Sequence, residues 1–203
     1  MKAQICRFLY EQLHPESELS GAEVDLQDCP YFSGRFTVFD SAVATYFLPS
    51  DTLGQGGPYR ERIRAKPVCR RSTTVPRHDC VLVATDATRS SFSSMQVARA
   101  RLLLSIRHLD KSIPCALVDW FVTEGSRPDP TTGMWVVKPQ YTANNRPFSS
   151  IVHLDSVLRG IHLLPVHKKR TITRGQSYLR SLDSYRKFYV NKYIDYHAFE
   201  TVT

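Results

Sequence analysis

The sequence predicts a mainly β fold, an antiparallel barrel or sandwich with helices near both ends of the chain. Short segments rich in Val, Ile, Phe, Thr and Tyr follow one another between residues 35 and 138. Their connections are short and polar, whereas parallel strands need crossovers of about a dozen residues or more, usually helical. We expect an N-terminal helix and acidic linker over 1–33, a β domain over 34–175, and a helical segment over 176–203 that packs on it.

The N-terminal segment has the pattern of one amphipathic helix followed by a linker. Apolar side chains recur at helical spacing over residues 2–14, and Pro15 ends that pattern. Residues 15–33 are polar and acidic, so we expect them to connect the helix to the β domain.

After the linker the composition becomes typical of strands. Residues 35–39 and 42–48 are rich in Phe, Val, Thr and Tyr, and a bend or bulge is expected between them. Residues 49–79 contain seven glycines and prolines, which predicts a long irregular segment.

Four further strands and two mixed segments complete the predicted elements. Residues 151–166 suggest a strand, a short helical turn and a second strand. Leu and Tyr side chains at helical spacing over 181–196 predict a C-terminal helix with Ser181 as its N-cap. The four strands are predicted at 80–85, 97–106, 113–122 and 133–138.

The charge of the chain favours a polyanionic partner, with nucleic acid first. The sequence has 27 Lys and Arg against 19 Asp and Glu, a net charge of +8 and a pI near 9.4. The alternative is a basic protein without such a partner.

The cysteines indicate reduced thiols in an intracellular protein, nuclear or cytoplasmic rather than secreted. There are five, widely spaced and without a CxxC pair, and the N-terminus lacks the pattern of a signal peptide. Only Cys69, His78 and Cys80 could be drawn together around zinc, so we expect no metal and no organic cofactor. No apolar run reaches the roughly 20 residues of a membrane span.

Three basic segments are candidates for binding nucleic-acid phosphates. A planar guanidinium donates two parallel hydrogen bonds to a phosphate, and a flexible basic loop can become ordered on a nucleic-acid backbone. The candidate residues are Arg60, Arg62, Arg64, Lys66, Arg70 and Arg71 in the loop 60–77, Arg99 and Arg101 in the strand 97–106, and Lys168, Lys169 and Arg170 near the end of the β domain.

Each of these segments also has a purely structural interpretation. The loop arginines could be solvated or paired locally, and the run 168–170 could be a solvated turn. In the strand 97–106, alternation predicts Arg99 and Arg101 on one face and the even-numbered apolar residues on the other. Acids of neighbouring strands could then pair with the two arginines.

An enzymatic interpretation rests on aspartates that follow apolar runs. Asp40, Asp86 and Asp119 could hold two divalent metals for phosphoryl transfer, as in a metal-dependent nuclease. A nuclease of the ribonuclease-H kind needs parallel strands with helical crossovers, which the order of segments does not predict. Several aromatic residues could cage a methylated ammonium, but aromatic residues within strands usually build core. They are Trp120, Phe121, Trp135 and Tyr141.

Several runs of residues carry a family resemblance. They are PSD at 49–51, GG at 56–57, RERIR at 60–64, VAR at 97–99, CALVDWF at 115–121, GMWVV at 133–137, HLLPV at 162–166 and FYVNKYIDYHAF at 188–199. With them, residues 34–200 resemble the C-terminal region of large transposon-encoded proteins of mushroom-forming fungi, the CACTA-like, Plavaka-type transposases. The strand order also resembles, in architecture, a bromo-adjacent-homology chromatin module.

The resemblance implies a detached, transposon-derived module of fungal origin. In these transposases the strand-transfer carboxylates belong to a separate core, so the resemblance assigns no catalytic residue to this chain. Together with the charge, it leads us to expect a non-catalytic module that binds nucleic acid or chromatin. The alternatives are a protein-interaction module of a transposase assembly, docking through the aromatic C-terminal segment, and a metal-dependent nuclease.

Overall fold

The predicted fold class is confirmed, since the chain forms a nearly closed, barrel-like antiparallel sheet with helices at both ends. The computed structural model describes residues 1–17, 19–66, 76–85, 92–167 and 181–202. Within these residues no helix is long and apolar enough to cross a membrane.

Twelve strands and three α-helices make up the described chain. The helices are α1 Lys2–Leu13, α2 Ser181–Ser184 and α3 Tyr196–Thr201, and 3-10 turns lie at Phe92–Ser94 and Leu154–Ser156. The strands are β1 Phe36–Phe39, β2 Ser41–Tyr46, β3 Tyr59–Lys66, β4 Arg77–His78, β5 Cys80–Ala84, β6 Met95–His108, β7 Lys111–Thr123, β8 Val136–Pro139, β9 Ser149–His153, β10 Val157–Ile161, β11 Leu163–Pro165 and β12 Phe188–Val190.

The long hairpin of β6 and β7 forms the centre of the main sheet. The path across this sheet is β10-β5-β6-β7-β8-β12-β11, with β1 also paired to β6 and β9 also paired to β7. The hairpin turn consists of Leu109 and Asp110, which have φ angles of 46° and 61°. Two central residues with positive φ are typical of a type I′ turn, whose twist matches that of the flanking strands.

A β-bulge in β6 changes which side chains share a face. The register of β6 against β7 shifts between Ala100 and Leu102, so Arg101 is an extra residue in the ladder. Ala100 packs in one core with Leu103, whereas Leu102 packs against a second core. The predicted single face of even-numbered apolar residues is therefore wrong, because strict alternation does not foresee an inserted residue.

Residues 49–79 are not one irregular segment, since they contain β3 and β4. β3 pairs with β2 from Tyr59 to Arg64, and its last two residues pair with β4. These three strands form a second, smaller sheet that packs against β6 and β10. The prediction is wrong here because the glycines and prolines lie outside the strand, in its flanking segments.

The predicted helix over 181–196 is also wrong. Only α2, one turn long, forms at its start, and β12 follows and pairs with β8 and β11. Phe188 and Val190 of β12 are fully buried in the main core. Asp195 then caps α3, accepting a hydrogen bond from the Ala198 backbone N–H at 2.7 Å.

The N-terminal helix is confirmed, as is the strand, helical turn and strand predicted over 151–166. Ile5, Phe8 and Leu9 of α1 are buried in a core that they share with Leu104 of β6. The helix therefore closes one side of the main sheet and leaves the small sheet uncovered by it.

Candidate nucleic-acid interface

The small sheet presents one strongly basic face. In β3, Ile63 and Ala65 are buried, whereas Arg60 and Arg62 are exposed and Arg64 is half-buried. Side chains alternate between the two faces of a strand, so the three arginines point away from the core.

Strand pairing adds two more cations to the same face. Lys66 continues the alternation of the β3 arginines, and it lies directly opposite Arg77 of β4. Directly opposite residues of an antiparallel pair point to the same side of a sheet. We call this set, Arg60, Arg62, Arg64, Lys66 and Arg77, the basic face.

Only two cations of the basic face have a carboxylate partner among the described residues. Arg77 Nε lies 2.7 Å from Asp79 Oδ1, and Lys66 Nζ lies 3.8 Å from Asp40 Oδ2. Arg62 donates a long hydrogen bond of 3.4 Å to the Ser41 hydroxyl, which carries no charge.

Within the described part of the chain, the guanidinium groups of Arg60, Arg62 and Arg64 thus have no acidic partner. The described acids of the N-terminal linker therefore do not neutralise these arginines. These three cationic side chains point to the solvent. Neighbouring members of the row are about 7 Å apart, the distance between same-face residues along a strand.

Asp79 holds the basic face in place. Its carboxylate accepts a hydrogen bond from the Arg64 backbone N–H at 2.9 Å, and its own N–H donates to the Arg64 carbonyl at 2.9 Å. Its carbonyl accepts from the Ala100 N–H of β6 at 3.0 Å. The strand that carries the arginines is thereby tied by its backbone to the main sheet.

A groove of about 580 Å³ runs between β3 and the start of β11. Arg60, Arg62 and Arg64 belong to one wall, and the exposed His162 belongs to the other. Arg159 closes the groove between these walls. The acidic residues Glu61, Asp79 and Asp195 line the groove as well, so its arginines share a concave surface with three carboxylates.

Arg159 itself is structural, because its hydrogen bonds are taken up within the protein. Its side chain is 2% exposed, and its two terminal nitrogens donate to the two carboxylate oxygens of Asp195 at 2.8 and 2.6 Å. Its Nε donates to the Gly160 carbonyl at 2.9 Å, and Glu61 lies 3.9 Å away. The hydrogen bond from Arg159 is the main cause that lowers the pKa of Asp195.

His78, at the end of the small sheet, does not add charge at neutral pH. Burial, and then the charges of Arg101 and Arg99, lower its pKa to about 4. Burial followed by the charge of Arg159 likewise lowers the pKa of His197. The permanently charged cations that line the groove are arginines, namely Arg60, Arg62, Arg64, Arg77 and Arg159.

Arg99 and Arg101, predicted to bind nucleic acid, are paired with acids. Arg99 is 13% exposed, and its Nη1 lies 2.6 Å from Asp183 Oδ1 of α2. Arg101 Nε lies 3.4 Å from Asp119 Oδ2 of β7. The structure thus brings them into ion pairs, the structural interpretation, and neither lines the groove.

The remaining candidates divide between described and undescribed residues. Arg70, Arg71 and the run Lys168, Lys169 and Arg170 lie outside the described residues, as do Cys69 and Asp86. In the described ranges, no three His, Cys, Asp or Glu side chains form a group that could hold a metal ion. Every strand pairing described is antiparallel, so these strands do not form the parallel core that the nuclease interpretation needs.

The described cysteines lie in the interior of the protein. Cys6, Cys29, Cys80 and Cys115 are free and buried. Burial raises the pKa of both Cys80 and Cys115 to about 12, so neither is a thiolate at neutral pH.

Sequence reasoning identified the β3 arginines but missed the other wall of the groove. Arg159 and His162 come from the segment 151–166, where no charge run marks them and the run HLLPV, which begins at His162, contributes only to the family resemblance. The one signal is a lone arginine within the apolar run VLRGI, since a buried arginine requires an acidic partner.

Comparison of the chain with protein-family models, with curated proteins and with solved structures finds no match.

Proposed function

We propose that this chain is a non-catalytic module that binds nucleic acid through the basic face and the adjoining groove. The observation that carries the proposal is the row of Arg60, Arg62 and Arg64, which point outward from one strand without a carboxylate partner among the described residues. Guanidinium groups in a row suit a phosphate backbone, which supplies acceptors at regular intervals.

The net charge of +8 is a second observation that supports the proposal. A positive potential over the whole chain accelerates encounter with a polyanion, and the groove then provides the contacts. We further propose, on the resemblance alone, that the module derives from a fungal transposon and acts on DNA or chromatin in the nucleus.

The experiment measures the affinity of the purified chain for fluorescent DNA between about 50 and 200 mM salt. The test variant replaces Arg60, Arg62 and Arg64 with Gln. We expect weaker binding and a flatter dependence of log affinity on log salt. For each phosphate that the variant no longer neutralises, the slope should change by about 0.9 on duplex DNA, or by about 0.7 on a single strand.

A matched control removes the same amount of charge elsewhere. Arg35, Arg127 and Arg146 are exposed, lie outside the groove, and have no side-chain ion pair among the described residues. Their triple Gln variant should keep a salt slope close to that of the wild type. Equal slopes for both variants, or no binding by the wild type at about 50 mM salt, would refute the proposal.

A further inference from the structure

The strand β2 has one edge that is not paired with any other strand of the described chain. In the small sheet β2 pairs with β3 on one side only, and β3 in turn pairs with β4. The N–H and C=O groups along an unpaired edge remain available to a strand of another chain. The edge of β2 is therefore a candidate for peptide binding by strand addition.

The hydrogen bonds of the small sheet show which residues of β2 face this edge. The Ala65 N–H of β3 donates to the Asp40 carbonyl at 3.0 Å, so this is a hydrogen-bonded pair. Such pairs alternate with non-hydrogen-bonded pairs along an antiparallel ladder. The even-numbered residues of β2 therefore bond to β3, whereas the N–H and C=O groups of Val43 and Thr45 point away from it. We call these groups the free edge, because no described backbone group bonds to them.

A groove of about 240 Å³ lies beside the free edge and offers room for the side chains of an added strand. Residues 42–45 form its wall on the β2 side, and Leu154, Asp155 and Val157 line the other side. Leu154 and Val157 pack against the same core as Ile63 of β3, so this lining is apolar. The Asp155 side chain is 88% exposed and extends into the solvent.

The inner face of an added strand would be in apolar surroundings. Side chains alternate between the two faces of a strand, so every second residue of an added strand would point to the groove. Those residues would lie beside Ala42 and Ala44, whose side chains are small, and against Leu154 and Val157. Apolar side chains of medium size fit these positions.

The outer face of an added strand would meet arginines of β3. Val43 lies directly opposite Arg62. Thr45 lies directly opposite Arg60, and directly opposite residues share one face. Glu61, between the arginines in sequence, points to the inner face, where its carboxylate bonds within the protein. An added strand would lie two strand spacings from β3, about 10 Å, which an arginine and an acidic side chain can span together.

We infer that β2 binds an extended peptide of a partner protein, in which apolar and acidic residues alternate. The peptide adds antiparallel to the free edge, as every described strand pairing in this chain is antiparallel. Its apolar residues enter the groove, and its acidic residues pair with Arg60 and Arg62, which have no carboxylate partner among the described residues. Main-chain hydrogen bonds give the affinity, and the alternation gives the specificity.

Charge opposes the pairing of this edge with a second copy of the chain. Two β2 strands side by side would place Arg60 and Arg62 of both copies on one face of a joined sheet, and each copy has a net charge of +8. Like charges across an interface oppose association, whereas acidic residues of a partner would neutralise the two arginines. Charge complementarity therefore selects the acidic peptide.

The experiment measures the binding of fluorescent peptides to the purified full chain at about 150 mM salt, where long-range attraction between charges is screened. The probe has the core Val-Asp-Val-Asp-Val, and the control peptide has the same residues in the order Asp-Asp-Val-Val-Val. We expect the probe to bind roughly tenfold more tightly, because the control has equal charge but cannot separate its acids and valines onto two faces.

Methylation of peptide nitrogens tests the main-chain hydrogen bonds. In the antiparallel arrangement the two Asp residues of the probe exchange N–H and C=O bonds with Val43 and Thr45, whereas the N–H groups of its valines face away from β2. Methylation of both Asp nitrogens should weaken binding roughly tenfold or more. Methylation of two Val nitrogens is the matched control and should leave the affinity unchanged.

Substitution at the free edge tests the site in the protein. Thr45→Pro removes an N–H group that does not bond to β3, a position at which edge strands tolerate proline. Val43→Glu places a carboxylate between Arg62 and the peptide. Each variant should weaken binding of the probe roughly tenfold. Val43→Thr keeps a branched, uncharged side chain and should bind like the wild type, and so should Val38→Glu, since Val38 is 42% exposed on β1 in the main sheet.

Four results would overturn the inference. They are equal binding of the probe and the control peptide, equal binding of the two methylated probes, no binding of the probe at about 1 mM protein, and a dimer in sedimentation that Thr45→Pro dissociates. Val43 is 53% exposed, so Val43→Glu remains informative if Thr45→Pro unfolds the small sheet. The assays contain no nucleic acid, so their outcome leaves the proposed function to its own test.

Discussion

The buried arginine of β10 joins three separate parts of the chain, and its removal should be costly. Arg159 bonds to Asp195, which caps α3, and to the Gly160 carbonyl in its own strand. It also lies near Glu61 of β3, whose carboxylate accepts from the Gly160 N–H at 3.0 Å. We choose Arg159→Met, which keeps the length and apolar contacts of the side chain but removes its charge.

The structure sets the size of the effect. Removal of one partner of a buried ion pair costs about 3–5 kcal/mol, because the other charge is left without compensation. Here the side chains of Asp195 and Glu61 are 43% and 36% exposed, so water can hydrate both carboxylates once the guanidinium is gone. We therefore expect a decrease near the lower limit, about 3 kcal/mol of the free energy of unfolding.

Urea denaturation followed by tryptophan fluorescence measures this decrease, with Arg35→Met at an exposed position as the control. Asp195→Asn and the double variant complete a thermodynamic cycle, in which we expect a coupling energy of about 1 kcal/mol or more. An Arg159→Met protein within about 0.5 kcal/mol of the wild type would contradict the reasoning, and so would a coupling energy near zero.

Two further predictions concern the stability of the fold. The pKa of His78 is lowered from 6.5 to about 4, so between these pH values the unfolded chain binds a proton that the folded chain does not. The free energy of unfolding should therefore fall as the pH falls through this window, by at most about 3 kcal/mol. Urea denaturation at pH 7 and at pH 4 measures the difference, and His78→Gln should remove this part of it. Leu109 has a φ of 46° in the β6–β7 turn and is exposed, so Leu109→Asn should raise the free energy of unfolding by about 0.5–1 kcal/mol. If the urea concentration at the midpoint of unfolding is unchanged or lower in the Leu109→Asn variant, the prediction is wrong, and the Leu109 side chain contributes packing despite its exposure.

The strands β5, β6 and β7 of the main sheet could be predicted because the residue patterns that identify them lie within each strand. CVLVA of β5 and the long apolar runs of β6 and β7 each show strand composition within a few residues. The connection between β6 and β7 has only two residues, so their antiparallel pairing follows from chain geometry. The bulge at Arg101 could not be predicted, since it depends on how two sides of the sheet pack.

In the small sheet, β2 matches the strand predicted over 42–48, but β3 could not be predicted, because what makes it a strand is distant in sequence. Its segment YRERIRAK has only Ile63 and Ala65 as buried apolar residues, and the rest reads as a charge run. Its other supports come from Asp79 and from Gly160, which lies 99 residues from its partner Glu61. The candidate arginines were therefore found by composition, and their common face only by structure.

The distribution of ion pairs sets Arg60, Arg62 and Arg64 apart from the other strand arginines that the structure describes. The chain places a carboxylate against most of its described strand arginines, and these pairs are Arg77 with Asp79, Arg99 with Asp183, Arg101 with Asp119, Arg107 with Asp110 and Arg159 with Asp195. Arg60, Arg62 and Arg64 are left out, although they lie about 7 Å apart along one strand, which is shorter than the screening length of about 8 Å at physiological salt. Such neighbours repel one another in the folded protein, and a bound polyanion would convert that repulsion into attraction. The same three residues that weaken the small sheet on its own are thus those that a phosphate backbone would stabilise.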